Sequence, residues 1–237
     1  MNKSRVIMLT VLVLDVNCRY WKENYLEPLK IFIKAYRALS DEHTIEILTC
    51  DDKSVNHLDS MNISPKESYS AYSQISKALA YSCMLLHKRS TLSQSRIIVL
   101  SASPEDPQQY RHILNTAFCT QDKGLIIDIC KIGSHPAGYL EQVAQITDGL
   151  FVQCETAKDM FHSLMNFFLA DKEQKKLLNL PKQIETGRTT VCGCHSQVVE
   201  IGHVCTICLA SIFLLNLVYC KFVPLCSNCK TRFEFPK

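Results

Sequence analysis

The sequence predicts an α/β protein in which helices cover both faces of a mostly parallel sheet, followed by a small cysteine-rich module. Two observations support this class. Short aliphatic runs, typical of strands buried on both faces, alternate with amphipathic helical segments through most of the chain. Seven of the 13 cysteines then crowd into residues 192–229. We therefore divide the 237 residues into an α/β domain at 1–170, a linker at 171–190 and a C-terminal module at 191–237.

Hydrophobic spacing predicts the individual elements. An unbroken run of β-branched and aliphatic residues, ended by Asp15, indicates the first strand at 6–15, and apolar residues at helical spacing indicate a helix at 21–39. The remaining strands are predicted at 44–49, 54–58, 96–101, 125–132 and 150–152. The remaining helices are predicted at 69–86, 108–120, 139–147 and 157–169. We expect the strand at 54–58 to return antiparallel at the sheet edge, and Gly149 to mark a helix end.

Composition and charge argue against several classes of protein. No apolar run reaches the roughly 20 residues that a membrane-spanning helix needs, so we expect no membrane partner. The net charge is +3, but residues 1–181 hold 20 basic and 20 acidic side chains, so the α/β domain has no charge signature of nucleic-acid binding. Clustered Cys-x-x-Cys pairs beside scattered apolar cysteines indicate a reducing compartment and bound metal rather than disulfide bonds.

The first strand ends in Asp15, at the edge of the sheet where α/β proteins place their ligands. An aspartate followed by a helix at this point resembles the von Willebrand factor A-like family, whose members often hold Mg²⁺ through an Asp-x-Ser-x-Ser motif. Asn17 and Arg19 stand in the two serine positions. Arg19 offers no oxygen and adds a positive charge, so we expect no Mg²⁺ at this degenerate site. We expect Asp15 to tie loops together instead, although the loop at 101–106 has a further carboxylate to offer.

Other catalytic signatures are missing from the sequence. It has no Gly-x-Gly-x-x-Gly or P-loop motif to hold phosphates, and no Gly-x-Ser-x-Gly turn to carry a nucleophile. Its histidines show no His-Glu-x-x-His spacing. We therefore predict that the protein is not an enzyme. A metal-dependent enzyme or adhesion-type domain that uses Asp15 is the competing hypothesis.

Two Cys-x-x-Cys pairs near the C-terminus predict a zinc site. Cys205 and Cys208 form the first pair and Cys226 and Cys229 the second, with 17 residues between the pairs. Four thiolates complete the tetrahedral coordination of Zn²⁺ and leave no open position, so we expect this zinc to be structural. A redox role is the alternative, but redox Cys-x-x-Cys motifs occur singly beside a βαβ unit.

A second group of candidate ligands lies nearby. These residues could bind a second zinc ion, or else be packing residues and free thiols. They are Cys192, Cys194, His195 and Cys220. Aromatic and basic side chains accompany the cysteines, which makes a nucleic-acid-binding zinc ribbon the alternative function. These side chains are Phe213, Tyr219, Lys221, Phe222, Lys230, Arg232, Phe233 and Phe235.

The cysteine segments also carry a family resemblance. Residues 192–209 and 220–230 are similar to the C-terminal zinc finger of the smaller von Willebrand factor A-like core subunits of TFIIH, although the span at 209–219 is longer than in that family. Segments at 95–100, 124–130 and 145–152 agree with the same family in the same order.

The resemblance implies a scaffold role in the TFIIH core complex, which opens promoter DNA for RNA polymerase II and damaged DNA in nucleotide excision repair. It implies that the main partner is the larger TFIIH subunit, which also combines a von Willebrand factor A-like domain with zinc modules. Through that partner the chain supports the helicase subunits, so any contact with DNA is expected to be indirect. It further implies a nuclear protein.

Overall fold

The computed structural model describes residues 8–40, 43–58, 63–65, 67–88 and 94–181, with short pieces at 190–191, 198–199, 203–204, 211–212, 225 and 229–232. The first range begins a six-stranded sheet. Its strands are β1 (Met8–Asp15), β2 (His43–Cys50), β3 (Val55–Leu58), β4 (Gln94–Ser101), β5 (Ile126–Ile132) and β6 (Phe151–Cys154). They lie in the order β3-β2-β1-β4-β5-β6, and each pair is parallel except β2 with β3.

Helices pack on both faces of this sheet. They are α1 (Leu26–Ala38), α2 (Ile75–Lys88), α3 (Tyr110–Asp122), α4 (Gly138–Ile146), α5 (Ala157–Ser163) and the short α6 (Lys172–Lys175). The buried apolar residues of α1 and α5 belong to one hydrophobic cluster, whereas most of those of α2, α3 and α4 share a second cluster. Tyr110 and Leu114 of α3 form a small third cluster with Tyr139 of α4. None of the helices within the described ranges is long and apolar enough to cross a membrane.

Strand β1 shows why the aliphatic run predicted a doubly covered strand. Leu12 and Leu14 belong to the cluster of α1 and α5, whereas Val11 and Val13 belong to the cluster of α2, α3 and α4. All four side chains are inaccessible to solvent. A strand buried on both faces is mostly apolar on both sides, as β1 is. The sheet order and the antiparallel pairing of β2 with β3 confirm the predicted α/β architecture and its antiparallel edge strand.

The winding of the chain reverses between β1 and β4. Strand β2 lies on one side of β1 and β4 on the other, which makes this the topological switch point of the sheet. The crevice outside the carboxyl ends of β1 and β4 is therefore the expected place for a ligand in this fold. Asp15 ends β1 and Ser101 ends β4, so the candidate site of the sequence lies at this crevice.

The predicted helix at 69–86 begins later than its apolar spacing indicated. The α-helix starts at Ile75, and Tyr69 lies in the segment before it. The amide N–H groups of Tyr69 and Ser70 both donate to Asp52 Oδ2, at 2.8 and 3.0 Å. Because side chains from other loops take up the backbone groups here, the helical ladder does not form before residue 75.

The helix at 139–147 ends as expected, but two residues share the role given to Gly149. Asp148 adopts the left-handed conformation, with φ of 53°. Gly149 lies so close to β5 that a Cβ atom there would meet the Ile127 carbonyl oxygen at 1.9 Å. Glycine is therefore required at 149 by close backbone approach rather than by the turn itself. The last predicted helix, 157–169, continues beyond α5 as a π-helical segment at Leu164–Phe168.

A buried ionic cluster fastens the end of the domain to the sheet. Asp128, which is inaccessible to solvent, accepts from Lys175 Nζ at 2.6 Å and lies 3.5 Å from Arg96 Nη1. Arg96 also donates to the carbonyls of Phe168 and Ala170, at 2.5 and 2.7 Å. The first residues of the predicted linker are thus held against the sheet.

Candidate functional site

Asp15 lies at the switch point with both carboxylate oxygens engaged. Oδ1 accepts from the hydroxyl of Ser73 at 2.5 Å and from the amide N–H of Asn17 at 3.3 Å. Oδ2 accepts from the amide N–H groups of Ala102 and Ser103, at 3.0 and 2.7 Å. The side chain is inaccessible to solvent. Asp15 therefore joins the loop after β1, the segment before α2 and the loop after β4, as the sequence predicted.

The two residues in the serine positions of the motif make the same kind of link. Asn17 Oδ1 accepts from the amide N–H of Arg19 at 3.1 Å, while Asn17 Nδ2 donates to the Ser70 carbonyl at 3.1 Å. Arg19 Nε and Nη2 donate to the carbonyls of Ser68 and Tyr69, at 3.3 and 3.0 Å. Both side chains are thus used to fix the segment 68–70.

Lys131 is a residue of this site that our sequence reasoning missed. It lies on β5, is inaccessible to solvent, and donates from Nζ to the carbonyl of Ser103 and, at 3.4 Å, to the hydroxyl of Ser101. Burial lowers the pKa of Lys131, while the charges of Asp15 and Glu105 act in the opposite direction. The available signal was a lysine inside a mostly apolar strand, where charged residues are rare unless paired.

The carboxylate expected from the loop at 101–106 serves a helix. Glu105 accepts from the amide N–H groups of Tyr139 and Leu140, at 3.0 and 2.7 Å, at the start of α4. Burial raises the pKa of Glu105 to about 7, although the two amide hydrogen bonds and the charge of Lys131 favour the ionised form. Its two oxygens are committed to the helix N-terminus, where a negative charge is favourable.

The chemistry of the site follows from these contacts. Mg²⁺ takes oxygen ligands, and at the positions of the metal motif the oxygens of Asp15 and Asn17 already accept hydrogen bonds. Positive charge comes from the side chains of Arg19 and Lys131. Within the described residues, no three His, Cys, Asp or Glu side chains come together as a metal-binding group. The arrangement is one that cross-links loops at the top of the sheet.

Three short strand pairings bracket the candidate zinc ligands. The tail strands are β7 (Thr190–Val191), β8 (Val198–Val199), β9 (His203–Val204) and β10 (Ser211–Ile212). Strand β7 pairs antiparallel with β8, and β9 with β10. Leu225 and Arg232 form an isolated antiparallel bridge. In sequence, these pairings enclose Cys192, Cys194 and His195, then Cys205 and Cys208, and finally Cys226 and Cys229.

Of the predicted zinc ligands, Cys229 belongs to the described residues. It is half-buried, its Sγ lies 3.0 Å from Thr231 Oγ1, and the following Lys230 has a left-handed backbone with φ of 62°. The other predicted ligands lie outside the described residues: Cys205, Cys208 and Cys226 of the first site, and Cys192, Cys194, His195 and Cys220 of the second. The zinc sites therefore stay predictions.

Comparison with known proteins identifies the family. A sequence model of the transcription factor Tfb4 family matches residues 34–230. The General transcription and DNA repair factor IIH subunit tfb4 of Schizosaccharomyces pombe is 32% identical over 159 residues, which cover 67% of this chain and 50% of that protein. The chain thus spans about half the length of this curated relative.

Solved structures agree on the fold. The TFIIH p34 N-terminal domain superposes with a TM-score of 0.56 at 20% identity, covering 68% of this chain and 97% of that one. The SpRpn10 VWA domain gives a TM-score of 0.53 at 15% identity, covering 68% and 95%. At these identities the likeness shows a von Willebrand factor A-like fold. Because the family match extends over most of the sequence, the chain belongs to the Tfb4 family, whose curated relatives are subunits of the general transcription and DNA repair factor IIH.

Proposed function

We propose that this chain is a non-catalytic structural subunit of the TFIIH core complex, and that it supports transcription initiation by RNA polymerase II and nucleotide excision repair through contacts with other proteins. The family match over residues 34–230 supports the place in TFIIH. The observation that carries the non-catalytic role is the hydrogen bonding of Asp15, whose two oxygens accept four hydrogen bonds within the fold. Such a subunit would work in the nucleus.

In this proposal, the loops at the carboxyl ends of the strands are held together without a bound Mg²⁺. The buried ammonium group of Lys131, which interacts electrostatically with Asp15, supplies positive charge that a cation would otherwise bring to this carboxylate. A buried carboxylate beside a fixed ammonium group needs no further counter-ion, provided that its hydrogen bonds are complete. The same contacts argue against the hypothesis of a metal-dependent enzyme or adhesion-type domain that uses Asp15.

The C-terminal module, separated from the α/β domain by the linker at 171–190, is proposed to hold structural zinc through Cys205, Cys208, Cys226 and Cys229. The bridge between Leu225 and Arg232 supports this, because it closes a short turn whose sequence holds both cysteines of the second pair. Zinc would supply folding energy, on the order of 10 kcal/mol, to a module too small to build a large core. The second group, Cys192, Cys194, His195 and Cys220, is the candidate for a further zinc ion.

We place the contact with the larger von Willebrand factor A-like TFIIH subunit on the exposed apolar side chains of the helices. Met84 and Tyr81 are three residues apart on one side of α2 and are 64% and 37% exposed. Through this partner the chain would support the helicase subunits.

Co-expression with the larger subunit tests this proposal. We expect the two chains to purify as a stable pair, and Met84→Asp to weaken the pair because a charge would be buried in an apolar contact. Leu177→Asp is the matched control, since Leu177 is 88% exposed but lies outside the six helices. Failure to recover any stable pair with the unmodified chain would contradict the scaffold role.

Direct nucleic-acid binding by the tail is the second candidate function. Lys230 and Arg232 are both exposed in the described part of the tail, and basic side chains of this kind contact phosphates in nucleic-acid complexes. A gel shift of the full chain with single-stranded DNA at increasing salt tests it. Binding that weakens with salt and is lost in Lys230→Gln would support this function over indirect contact.

A further inference from the structure

The segment before α2 presents an exposed aromatic side chain on a fixed backbone. Tyr69 is 74% exposed. Its amide N–H donates to Asp52 Oδ2 at 2.8 Å, and its carbonyl accepts from Arg19 Nη2 at 3.0 Å. The ammonium of Lys53 lies 3.9 Å from the centroid of the Tyr69 ring, where cation and ring attract each other. Three contacts therefore hold Tyr69 in place while most of its side chain remains in solvent.

Among the described residues, the two cations next to Tyr69, Arg19 and Lys53, are not part of any ion pair. The nearby carboxylate of Asp52 accepts amide N–H groups through one oxygen, and that of Asp51 accepts from the amide of Lys53 at 2.8 Å. Both aspartates are therefore occupied in shaping the loops, while the two basic side chains lie at the surface.

We propose that Tyr69, Lys53 and Arg19 form a docking surface for an acidic segment of a partner protein. A rigid, exposed aromatic ring is a common anchor of protein interfaces because little conformational entropy is lost when it becomes buried. Its place above the carboxyl ends of the strands is where open α/β sheets take their ligands. The ring packs against apolar side chains of the partner, and the two cations meet the partner's carboxylates.

The charge distribution favours an acidic peptide over a nucleic acid. Binding to a nucleic acid rests on many phosphate contacts along a basic surface. Here two cations flank one aromatic ring, and residues 1–181 are balanced at 20 basic and 20 acidic side chains. A compact pair of charges beside an anchor suits a short peptide with a few carboxylates. Nucleic acid is the alternative outcome that the experiment must distinguish.

This surface is separate from the one proposed for the larger TFIIH subunit. That contact was placed on exposed apolar residues of α2, represented by Met84, whereas the docking surface consists of loop residues. The two proposals therefore fail separately. A chain that pairs with the larger subunit but binds no acidic peptide would refute the docking surface alone.

Fluorescence anisotropy with the full chain tests the docking surface. The probe is a short labelled peptide of glutamate, aspartate and leucine, compared with a matched peptide in which glutamine and asparagine replace the acids. We expect saturable binding of the acidic peptide only, and a loss of about tenfold or more in affinity for Tyr69→Ala and for Lys53→Gln. Leu177→Ala and Lys34→Gln, at an exposed leucine outside the helices and an exposed lysine of α1, are the controls and are expected to bind as the wild type.

Three results would overturn the proposal. The first is no saturable binding of the acidic peptide. The second is equal loss of affinity in the controls and in the Tyr69 and Lys53 variants, which would indicate a diffuse charge effect. The third is tighter binding of a single-stranded oligothymidine that displaces the peptide, which would assign the surface to nucleic acid. Circular dichroism of each variant confirms that the fold is retained.

Discussion

Lys131 and Asp15 are joined through a single residue, Ser103. The ammonium group of Lys131 donates to the Ser103 carbonyl, and the Ser103 amide donates to Asp15 Oδ2 at 2.7 Å. Neither charged side chain is accessible to solvent. A cation from β5 and an anion from β1 thus fix the same loop, because one binds the carbonyl of Ser103 and the other binds its amide N–H. The loops at the carboxyl ends of the strands are therefore held by charged side chains of the chain itself.

Removal of the ammonium group should destabilise the domain. In Lys131→Met the charge of Asp15 stays buried without its nearby cation, and the Ser103 carbonyl loses a donor. We expect the free energy of unfolding in urea to fall by about 3 kcal/mol. The exposed lysine of α1 provides the control Lys34→Met, which should change stability by less than about 0.5 kcal/mol. Equal stabilities for the two variants would show that Lys131 is not part of a stabilising network.

Glu105 should make stability depend on pH. Burial raises the pKa of Glu105 from 4.5 to about 7. The positive charge of Lys131 lowers this pKa, and the negative charge of Glu141 raises it. Between these two values the folded state keeps a proton that the unfolded chain has released, so stability should fall as the pH rises from 4.5 to 7. The contribution is at most about 3 kcal/mol.

The variant Glu105→Gln isolates this effect. Its unfolding free energy should lack the Glu105 contribution, so the difference between wild type and variant should change across the pH window and level off above it. Urea unfolding at a series of pH values measures this difference. Parallel curves for the two proteins would contradict the assignment of the raised pKa.

The ionic cluster at the other end of the sheet should hold α6 in place. Lys175→Met leaves Asp128 buried with a more distant partner, Arg96 at 3.5 Å, so we expect a loss of about 2 kcal/mol and faster amide exchange in 168–175. The neighbouring ion pair of Lys176 and Glu173 is 63% and 69% exposed, so Lys176→Met should have almost no effect. If both variants exchange like the wild type, α6 is not fastened by Asp128.

Zinc content should follow the cysteines. Elemental analysis of the purified chain is expected to give at least one zinc per molecule, and Cys229→Ser should lower that number because one of four thiolates is lost. Cys192→Ser and Cys220→Ser test the second group of ligands in the same way. Wild-type protein that holds no zinc, or an unchanged zinc content in Cys229→Ser, would contradict the predicted site.

Local patterns were sufficient to predict most of the fold. The apolar runs at β1 and β4 predicted strands that are covered on both faces. The antiparallel direction of β3 was predicted from the short turn after β2. The start of α2 was predicted wrongly because Asp52, distant in sequence, competes for the backbone of Tyr69 and Ser70. Apolar spacing carries no information about such a competitor.

The candidate site was predicted only in part for the same reason. The role of Asp15 as a tie between loops could be derived, because Arg19 in the motif offers no oxygen to a metal and adds a positive charge. The contributions of Lys131 and Glu105 could not be derived from the sequence, because each depends on which strands become neighbours in the sheet. The order of the strands around the switch point brings β5 beside β4, and only that arrangement places the lysine against Ser103.

The most direct test of the account is the response of the wild-type chain to Mg²⁺. A site that binds a cation in the folded state alone gains stability with cation concentration, by about 2.7 kcal/mol at a hundredfold excess over the dissociation constant. If Lys131 supplies the charge at Asp15, the free energy of unfolding should be the same with and without Mg²⁺ at constant ionic strength. A saturable rise in stability that disappears in Asp15→Asn would contradict the account.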